Sequence, residues 1–510
     1  MKYLALFFFF IGFSFGLVAQ HENINPCGTP PFKSDWLKKY QLNPKAFNTK
    51  SAEIIHVPFT VSLVGQNDGE GRMNESKLLD NLCTLKSDFE QSDIRFYLKE
   101  PIREIDDSDF YVHEDVISGG LKMHQYNVDG AINCYLVDDA AGNCGYNLPW
   151  AGVAVQEACA GPTDHTWAHE MGHALSVQHP FLGWEGGVGH DGSNPHDFSD
   201  PAPEFVTYNY TSFKDSLILD TIIVDTIMVE KMDGSNCHEA ADGFCDTAPD
   251  YIALRWACTP DSVGFVQQTD PNGETFYSDG TLIMSYSFSN CKGRFSGEQI
   301  AAMRANSLDE KGDISSVGME ITPPDDAGDI QLMSPDQDEL VYYRDVEFAW
   351  SESNEDNYYL LQIGVEPSFS LVLFDTIVSQ PSMVLREADS SWGNLYWRVR
   401  PFTADEFCTE YSVSGIFEPT ETSAVSDLAS DILELYPNVL TADQSEIFIK
   451  TNSHKQSMNF TIYNVQGMIV ERGSSDNNRI KLNSSFPGSG MYFISLETNS
   501  GVVVRKLYVN

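Results

Sequence analysis

The sequence predicts a multidomain protein: an α/β (α+β) domain with a mixed, twisted sheet, followed by two all-β sandwich domains. The chain has 510 residues, more than one hydrophobic core usually organises. Up to residue 312, strand-like alternation of apolar residues is interrupted by helix-like spacing. Beyond that point, short strand-like runs follow one another between polar linkers, which is typical of β-sandwiches.

The N-terminus is predicted to be processed. In residues 1–19, Lys2 precedes the apolar run Leu4–Phe15, and Ala19 offers a small residue for cleavage. This arrangement is typical of a secretory signal peptide. Residues 20–50 are polar and weakly periodic, so we interpret them as a pro-segment. No later stretch reaches the length of a transmembrane helix, and we expect an exported, water-soluble protein without a transmembrane segment.

The α/β domain is predicted over residues 51–312. The stretch "EIIHVPFTVSLV" alternates like a strand, whereas "NESKLLDNLCTLKSDFEQS" repeats apolar residues at helical spacing. Two further strand patterns follow, and then a second helix that carries histidines. Residues 204–233 are interpreted as an inserted hairpin beyond the compact core.

Two linkers separate the domains that follow. "GMEITPPDDAGD" is rich in Pro, Asp and Gly, and it precedes a sandwich predicted over residues 325–420. Trp350 and Trp397 are expected on strands of this domain, and "LYWRVRPF" resembles a fibronectin type III strand. "PTETSAVSDLASD" is the second linker, and residues 434–510 are again β-patterned.

The net charge restricts the partners. Asp and Glu outnumber Lys and Arg, 74 to 31, which gives a formal net charge of −43. A chain this acidic repels phosphate backbones and anionic lipid surfaces, so nucleic acid is excluded as a partner. Two interpretations of the acidity remain: solubility outside the cell, and calcium binding by some of the carboxylates.

The ten cysteines favour disulfides, because the protein is expected to be exported. Four of them, Cys237, Cys245, Cys258 and Cys291, are dense enough to suggest two bridges. Four cysteines allow three connectivities, and the residues alone do not choose among them.

The stretch "HTWAHEMGHALSVQHPF" carries the strongest chemical pattern. His169 and His173 are four residues apart, so on a helix their imidazoles share one face and can share one metal ion. Glu170 is placed to take a proton from water at the metal, and His179 fits as a third ligand if the helix ends before Val177. Three protein ligands plus water is the open, catalytic form of a zinc site. Other candidate ligands are His190, His196 and His238.

A second pattern lies downstream in "GTLIMSYSFSNCKGRFSGEQIAAMR". Met284 is expected to pack as an apolar floor under the imidazoles without binding metal. The hydroxyl of Tyr286 is expected to approach the metal or a developing oxyanion. The alternative is that both residues belong to the core of a β-turn.

Residues 54–310 resemble the pappalysin family of metzincin zinc peptidases. The matching segments are "GNCGYNLPWAGVAVQ", "NCHEAADGFCDTAPD" and "IMSYSFSNCKGRFSGEQIAAMR". The resemblance implies a metzincin fold and zinc peptidase activity. It also implies zinc ligation by His169, His173 and His179, with Glu170 as general base and acid and Tyr286 as transition-state stabiliser. Calcium ligands implied by the resemblance are Asp242, Asp246 and Thr247, and the implied disulfides are Cys245–Cys291 and Cys237–Cys258.

This sequence departs from the family pattern at two functional positions. Ser176 stands where metzincins have glycine, so we predict that the helix ends there with a positive φ at Ser176. Relatives that cut next to Arg or Lys carry an acidic residue shortly after the methionine. Here those positions are Ser287, Phe288 and Ser289, so basic specificity is not expected.

Latency is predicted from the pro-segment. "NPCGTPP" contains Cys27 followed by Gly28, and the family has a similar Cys-Gly-Thr. A thiolate is a strong zinc ligand and would displace the catalytic water, so Cys27 is proposed as a zymogen switch relieved by proteolysis. The alternative is that Cys27 forms a disulfide.

The C-terminal domain resembles a type A sorting domain of the type IX secretion system. The matching segments are "LELYPN", "FTIYNVQGMIV", "PGSGMYFISL" and "VVVRKLYVN". The resemblance implies export across the outer membrane, with the secretion machinery as a partner and a secreted or cell-surface location. The alternative is an ordinary β-sandwich appendage that binds carbohydrate.

Together these patterns predict a secreted zinc endopeptidase that acts on proteins or peptides and is made as a latent precursor. One alternative is a catalytically inactive cell-surface binding or adhesion protein on a metzincin scaffold. Another is a zinc hydrolase with a non-peptide substrate. The retention of Glu170 favours an enzyme, because a decayed enzyme would be expected to lose its general base first.

Overall fold

We describe the fold from a computed structural model of the chain. The described residues are 24–47, 53–185, 197–214, 217–320, 324, 326–351, 358–386, 388, 391, 393–420, 432–440, 446–451, 458–475, 477–482, 486, 488–498 and 501–509. The predicted signal peptide, residues 1–19, lies outside this set, as do His190 and His196.

In the described part of the chain, the α-helices all precede the first linker. Their bounds are α1 (Asp35–Leu42), α2 (Glu75–Phe89), α3 (Ser108–Tyr111), α4 (Val116–Tyr126), α5 (Thr166–Ala174) and α6 (Gly297–Leu308). Within the described ranges, no helix combines the length and apolar character that crossing a membrane requires.

The strands of the first domain form one large sheet, one hairpin and a short pair. Their bounds are β1 (Ile55–Gly65), β2 (Ile94–Leu98), β3 (Arg103–Asp106), β4 (Ile132–Val137), β5 (Gly145–Leu148), β6 (Gly152–Gln156), β7 (Phe205–Lys214), β8 (Leu217–Met228), β9 (Gln268–Thr269), β10 (Thr275–Phe276) and β11 (Ser316–Val317).

The large sheet is mixed, as predicted. Its strand order is β11-β1-β4-β6-β5, and β2 and β3 also pair with β1. Strand β1 is buried along its whole length and is parallel to β2, β3 and β4, so it forms the centre of the sheet. Strand β5 runs antiparallel to β6 and forms one edge. Because β11 pairs with β1, the sheet extends past residue 312, where the domain was predicted to end.

The predicted insertion is a hairpin. Strands β7 and β8 pair antiparallel from Phe205–Met228 to Lys214–Leu217. The base of the hairpin packs on the domain, since Val206 and Val229 are buried in a cluster that also contains Tyr286.

Two β-sandwiches follow, which confirms this part of the predicted fold class. In the first, strands β12-β14-β17 face strands β13-β19-β18-β15-β16, and Trp350 and Trp397 lie in the core between them. The bounds are β12 (Leu332–Ser334), β13 (Glu339–Tyr342), β14 (Asp345–Trp350), β15 (Tyr358–Gly364), β16 (Val372–Val378), β17 (Ser382–Arg386), β18 (Leu395–Phe402) and β19 (Gly415–Thr420).

The second sandwich pairs sheet β20-β22-β25 with sheet β21-β27-β26-β23-β24, around its own hydrophobic cluster. The bounds are β20 (Ile432–Tyr436), β21 (Val439–Leu440), β22 (Glu446–Thr451), β23 (Asn459–Asn464), β24 (Ile469–Ser474), β25 (Arg479–Lys481), β26 (Gly490–Thr498) and β27 (Gly501–Val509).

The first sandwich is joined to the α/β domain covalently and through a shared core, which the sequence did not predict. Cys83 on α2 forms a disulfide with Cys408 of the sandwich. Phe402 and Phe407 are buried in the same hydrophobic cluster as β1 and α2. Arg400, which is largely buried, also pairs with Asp80 at 2.6 Å. Helix α2 is therefore held on one side by the sandwich and on the other by α5.

We predict that the first sandwich and the α/β domain unfold as one unit. Replacing both Cys83 and Cys408 with Ser should lower the free energy of unfolding by about 2–5 kcal/mol, because the bridge closes a long loop. Calorimetry should show one shared transition at a lower temperature. Separate transitions for the two domains in the native protein would contradict a shared core.

Candidate metal centre

Helix α5 positions the candidate ligands and is buried almost throughout. Residues Thr166–His173 are all shielded from solvent, although several are polar. The helix is oriented from its start by His165, whose Nδ1 lies 2.8 Å from Asp88 Oδ2 on α2. Neighbouring helix turns place His169 and His173 on one face, as the spacing predicted.

Three imidazole nitrogens converge at one point. The Nε2 atoms of His169 and His179 are 3.1 Å apart, those of His173 and His169 are 3.2 Å apart, and those of His173 and His179 are 3.0 Å apart. Tetrahedral zinc with nitrogen ligands at 2.0–2.1 Å requires ligand nitrogens separated by about 3.3 Å. These separations therefore fit a metal ion at the centre of the triangle.

The other ring nitrogens fix the tautomers. His169 Nδ1 lies 2.8 Å from Ile283 O, and His173 Nδ1 lies 2.8 Å from Val177 O. Carbonyl oxygens only accept, so both Nδ1 atoms carry the proton and both Nε2 atoms present lone pairs. His179 Nδ1 has a carboxylate partner, Glu185 Oε1, at 3.1 Å. Lone pairs that face one another at this distance repel unless a cation lies between them.

Burial also keeps these rings neutral. Burial, followed by the neighbouring imidazoles, lowers the pKa of His169 well below its usual range. Burial lowers the pKa of His179 to about 3. Neutral imidazoles are the form that binds metal, so the environment favours a metal site over a charged histidine cluster.

Ser176 adopts the conformation predicted for it. Helix α5 ends at Ala174, and Ser176 has a φ of 71°, which turns the chain back so that His179 reaches the other two histidines. The Ser176 hydroxyl accepts a hydrogen bond from Asn306 Nδ2 at 3.1 Å. This contact with α6 is unavailable to glycine, and it offsets the backbone strain of about 1 kcal/mol at this position.

Glu170 is enclosed beside the histidines. Its Oε2 accepts a hydrogen bond from Thr29 Oγ1 at 2.9 Å, and its Oε1 is buried with no partner among the described atoms. Burial raises the pKa of Glu170 to about 8. Edge strand β5 passes close by, because a Cβ on Gly145 would lie 2.9 Å from Glu170 Cγ. Glycine at position 145 thus leaves room for the carboxylate.

The pro-segment fills the cleft between β5 and the histidines. Cys27 Sγ lies 3.6 Å from His173 Nε2, and Cys27 forms no disulfide. The segment runs parallel to β5, with Cys144 N donating to Asn25 O at 2.8 Å and Gly28 N donating to Gly145 O at 2.9 Å. The alternative that Cys27 is a disulfide cysteine is therefore not supported.

Met284 and Tyr286 both lie at the centre. Met284 is fully buried, and a Cβ on Gly172 would lie 2.6 Å from Met284 Sδ, so the thioether packs directly against α5. The Tyr286 ring centroid is 4.9 Å from that of His179, and its hydroxyl donates to Cys27 O at 3.4 Å. Sequence reasoning did not identify Gly172 as a residue of the site. Its lack of a side chain, between Glu170 and His173, could have indicated that another residue packs closely against the helix there.

The implied disulfide pairing is wrong. The bridges are Cys237–Cys245 and Cys258–Cys291, whereas the resemblance implied Cys245–Cys291 and Cys237–Cys258. A tight loop brings the first pair to a Cα separation of 5.0 Å. In the second pair, the strand-like bridge between Trp256 and Ser287 aligns the two segments that carry the cysteines. Two bridges without a predicted pairing are Cys83–Cys408 and Cys144–Cys159.

The predicted calcium residues only partly converge. Asp242 is fully buried, and its Oδ1 accepts hydrogen bonds from Phe244 N and Thr247 Oγ1. Asp246 points elsewhere, since its Oδ2 accepts from Glu298 N at the start of α6. His238 also lies apart from the histidine centre, beside Cys245 Sγ.

A second acidic residue near Asp242, Glu230, was missed by sequence reasoning. In the described part of the chain, Asp242 Oδ2 and Glu230 Oε2 are buried without hydrogen-bond partners. Lys33 of the pro-segment supplies a positive charge to both carboxylates. Burial raises the pKa of Glu230 to about 9. Lys33 of the pro-segment therefore interacts electrostatically with two buried acidic groups of the domain.

Comparisons with known proteins bear on the C-terminal domain. Residues 434–510 match the family described as the secretion system C-terminal sorting domain. This domain is a sorting domain. It directs export through the type IX secretion system, so the protein is secreted or displayed at the cell surface. The match covers the second sandwich alone.

Searches with the whole chain gave weaker results. No curated protein matches it. A mutant of promirolysin from Tannerella forsythia is 14% identical with a TM-score of 0.34, covering 57% of this chain and 97% of that one. The FN1–FN3 domains of chicken CNTN1 are 13% identical with a TM-score of 0.17, covering 38% of this chain and 68% of that one.

We predict that Lys33 stabilises the precursor through Glu230 and Asp242. Lys33→Met should lower the free energy of unfolding of the precursor by on the order of 2 kcal/mol, because it removes the positive charge that acts on the buried carboxyl groups of Asp242 and Glu230. The change is measured by denaturant unfolding of the precursor. Lys45→Met, at an exposed position of the same pro-segment, serves as the control. Equal stability of the two variants would contradict the role of Lys33.

Proposed function

We propose that this chain is an exported zinc endopeptidase of the metzincin type, made as a latent precursor. The observation that carries the proposal is the convergence of three Nε2 lone pairs beside a buried carboxylate in a cleft bordered by an edge strand. His169, His173 and His179 are the proposed ligands. Three histidines with their Nδ1 protons donated elsewhere are a donor set that suits zinc.

The chemistry needs a metal and a base. A zinc ion held by the three histidines would supply Lewis acidity, which allows water to attack a peptide carbonyl near neutral pH. Glu170 is the proposed general base, since it neighbours a ligand and keeps one oxygen without a partner. It would take the proton from the attacking water at Oε1 and later deliver it to the leaving amine. The Tyr286 hydroxyl is proposed to donate a hydrogen bond to the developing oxyanion.

Strand β5 is the proposed binding edge for the substrate. An extended peptide can pair with it antiparallel through main-chain hydrogen bonds. The pro-segment occupies the same edge in the parallel direction. A chain bound in that direction presents its peptide groups with reversed polarity, which explains how it can fill the cleft without being cut. Accessory calcium binding near Asp242 remains part of this proposal.

Latency is proposed to depend on two contacts of the pro-segment. Cys27 would take the metal position that water needs, because a thiolate is a strong zinc ligand. Thr29 Oγ1 donates a hydrogen bond to Glu170 Oε2, so the pro-segment also contacts the proposed general base. Burial, followed by the charge of Glu170, raises the pKa of Cys27 well above its usual range, so the thiol would become a ligand only if a bound metal ion displaced its proton to solvent.

We predict that Glu170→Ala abolishes hydrolysis and preserves metal binding. After removal of the pro-segment, kcat/KM for a protein substrate should fall by about 10³-fold. Zinc content, measured by elemental analysis, should stay at one ion per chain. A chelator should inactivate the unmodified protein, and zinc should restore it. Glu114→Ala, at an exposed position, is the control. Hydrolysis by Glu170→Ala near the unmodified rate would refute the assignment.

We predict that Cys27→Ala yields an active precursor. With the thiol gone, water can reach the metal, but Thr29 still contacts Glu170 and the pro-segment still lies along β5, so activity should appear at a level below that of the processed protein. Peptide hydrolysis should be measured on the intact chain, with electrophoresis to verify that the pro-segment remains. Cys134→Ala removes the other free cysteine, whose Sγ lies 3.7 Å from Met171 Sδ, and should stay latent. Continued latency of Cys27→Ala would count against the switch.

A further inference from the structure

Among the described residues, two cations beside the histidine centre form no ion pair. Arg255 Nη2 donates to Cys144 Sγ at 3.2 Å, and Arg255 Nε is buried without an acceptor. Lys292 interacts electrostatically with Asp164, Cys27 and Glu170, but none of the ion pairs among the described residues includes Lys292 or Arg255. In a chain with a net charge of −43, two partly buried and unpaired cations are unexpected.

The fold brings the two cations to one wall of the cleft. Trp256 N donates to Tyr286 O at 3.2 Å, and Phe288 N donates to Trp256 O at 2.9 Å. The disulfide Cys258–Cys291 then ties the segment that carries Arg255 to the segment that carries Lys292. The wall is therefore rigid and continuous with Tyr286.

The wall lies toward one end of the edge strand. Gly145 on β5 lies beside Glu170. Cys144 precedes Gly145 in the chain and contacts Arg255. A peptide antiparallel to β5 has its C-terminal part toward Cys144. The side chain that follows the scissile bond is therefore directed to the end where the cations lie.

The pro-segment leaves these charges uncompensated. Its residue at this end of β5 is Asn25, whose carbonyl accepts from Cys144 N, and its side chain is neutral. The positions after Met284, namely Ser287, Phe288 and Ser289, are neutral as well. Burial lowers the pKa of Lys292 to about 8, so the ammonium remains mostly protonated at pH 7.

We propose that Arg255 and Lys292 form a subsite for the acidic side chain of the residue that follows the scissile bond. The inference rests on the proposed peptidase function and adds its substrate class. An Asp or Glu carboxylate entering this end of the cleft supplies the direct ion-pair partner that both cations lack. Arg255 offers a planar donor fork with Nε free, and Lys292 offers a point charge close to the centre.

The test compares matched peptides that differ only at the residue after the scissile bond. With the activated protein, kcat/KM for Asp and Glu peptides should exceed that for Asn and Gln peptides by about tenfold, the effect of one charge-assisted contact. Lys292→Met should remove most of this preference, and Lys292→Glu should shift it toward Lys peptides. Arg294→Met is the control, because Arg294 lies on the same loop but pairs with Asp279.

A binding measurement separates this inference from the proposed function. Zinc-loaded Glu170→Ala protein without its pro-segment should bind the Asp peptide more tightly than the Asn peptide, as followed by fluorescence anisotropy. Cleavage of all peptides at equal rates would overturn the subsite and leave the peptidase function intact. Absence of any cleavage would overturn the peptidase function, and equal affinities in the binding measurement would then overturn the subsite too.

Discussion

Three imidazole lone pairs held face to face are the constraint on which the rest of this structure depends. The Nδ1 atom of each ring has its own partner. These are Ile283 O for His169, Val177 O for His173 and the Glu185 carboxylate for His179. Those acceptors come from three different places: the segment before Met284, the turn after α5 and the loop after His179. The helix, its abrupt end at Ser176 and the packing of Met284 on Gly172 all serve to keep these three nitrogens about 3 Å apart.

Support for this centre extends through α2 into the first sandwich. Asp88 on α2 orients His165 at the start of α5, and Cys83 on the same helix is bonded to Cys408. The sandwich therefore contributes to the rigidity of the domain that carries the candidate ligands. The core that it shares with the α/β domain gives the first sandwich this structural part.

Local sequence patterns predicted the elements that depend on local physics. The ligand helix, the positive φ at Ser176, the hairpin over 204–233 and the strands carrying the tryptophans follow from spacing and backbone conformation. Contacts between distant segments were not predictable in this way. The disulfide partners depend on which loops lie side by side, and the bridge between Trp256 and Ser287 aligns the segments that carry Cys258 and Cys291. Glu230, Lys33, Arg255 and Lys292 gave no local signal, because each matters only through the charges that folding places around it.

The bridge between Cys83 and Cys408 also changes what a break in the chain would do. A cut in the first linker, "GMEITPPDDAGD", lies between the two bonded cysteines, so both pieces stay in one covalent molecule under oxidising conditions. A cut in the second linker, "PTETSAVSDLASD", lies beyond Cys408 and releases the sorting domain from that covalent unit. Both segments connect domains, but only the second is a point of separation.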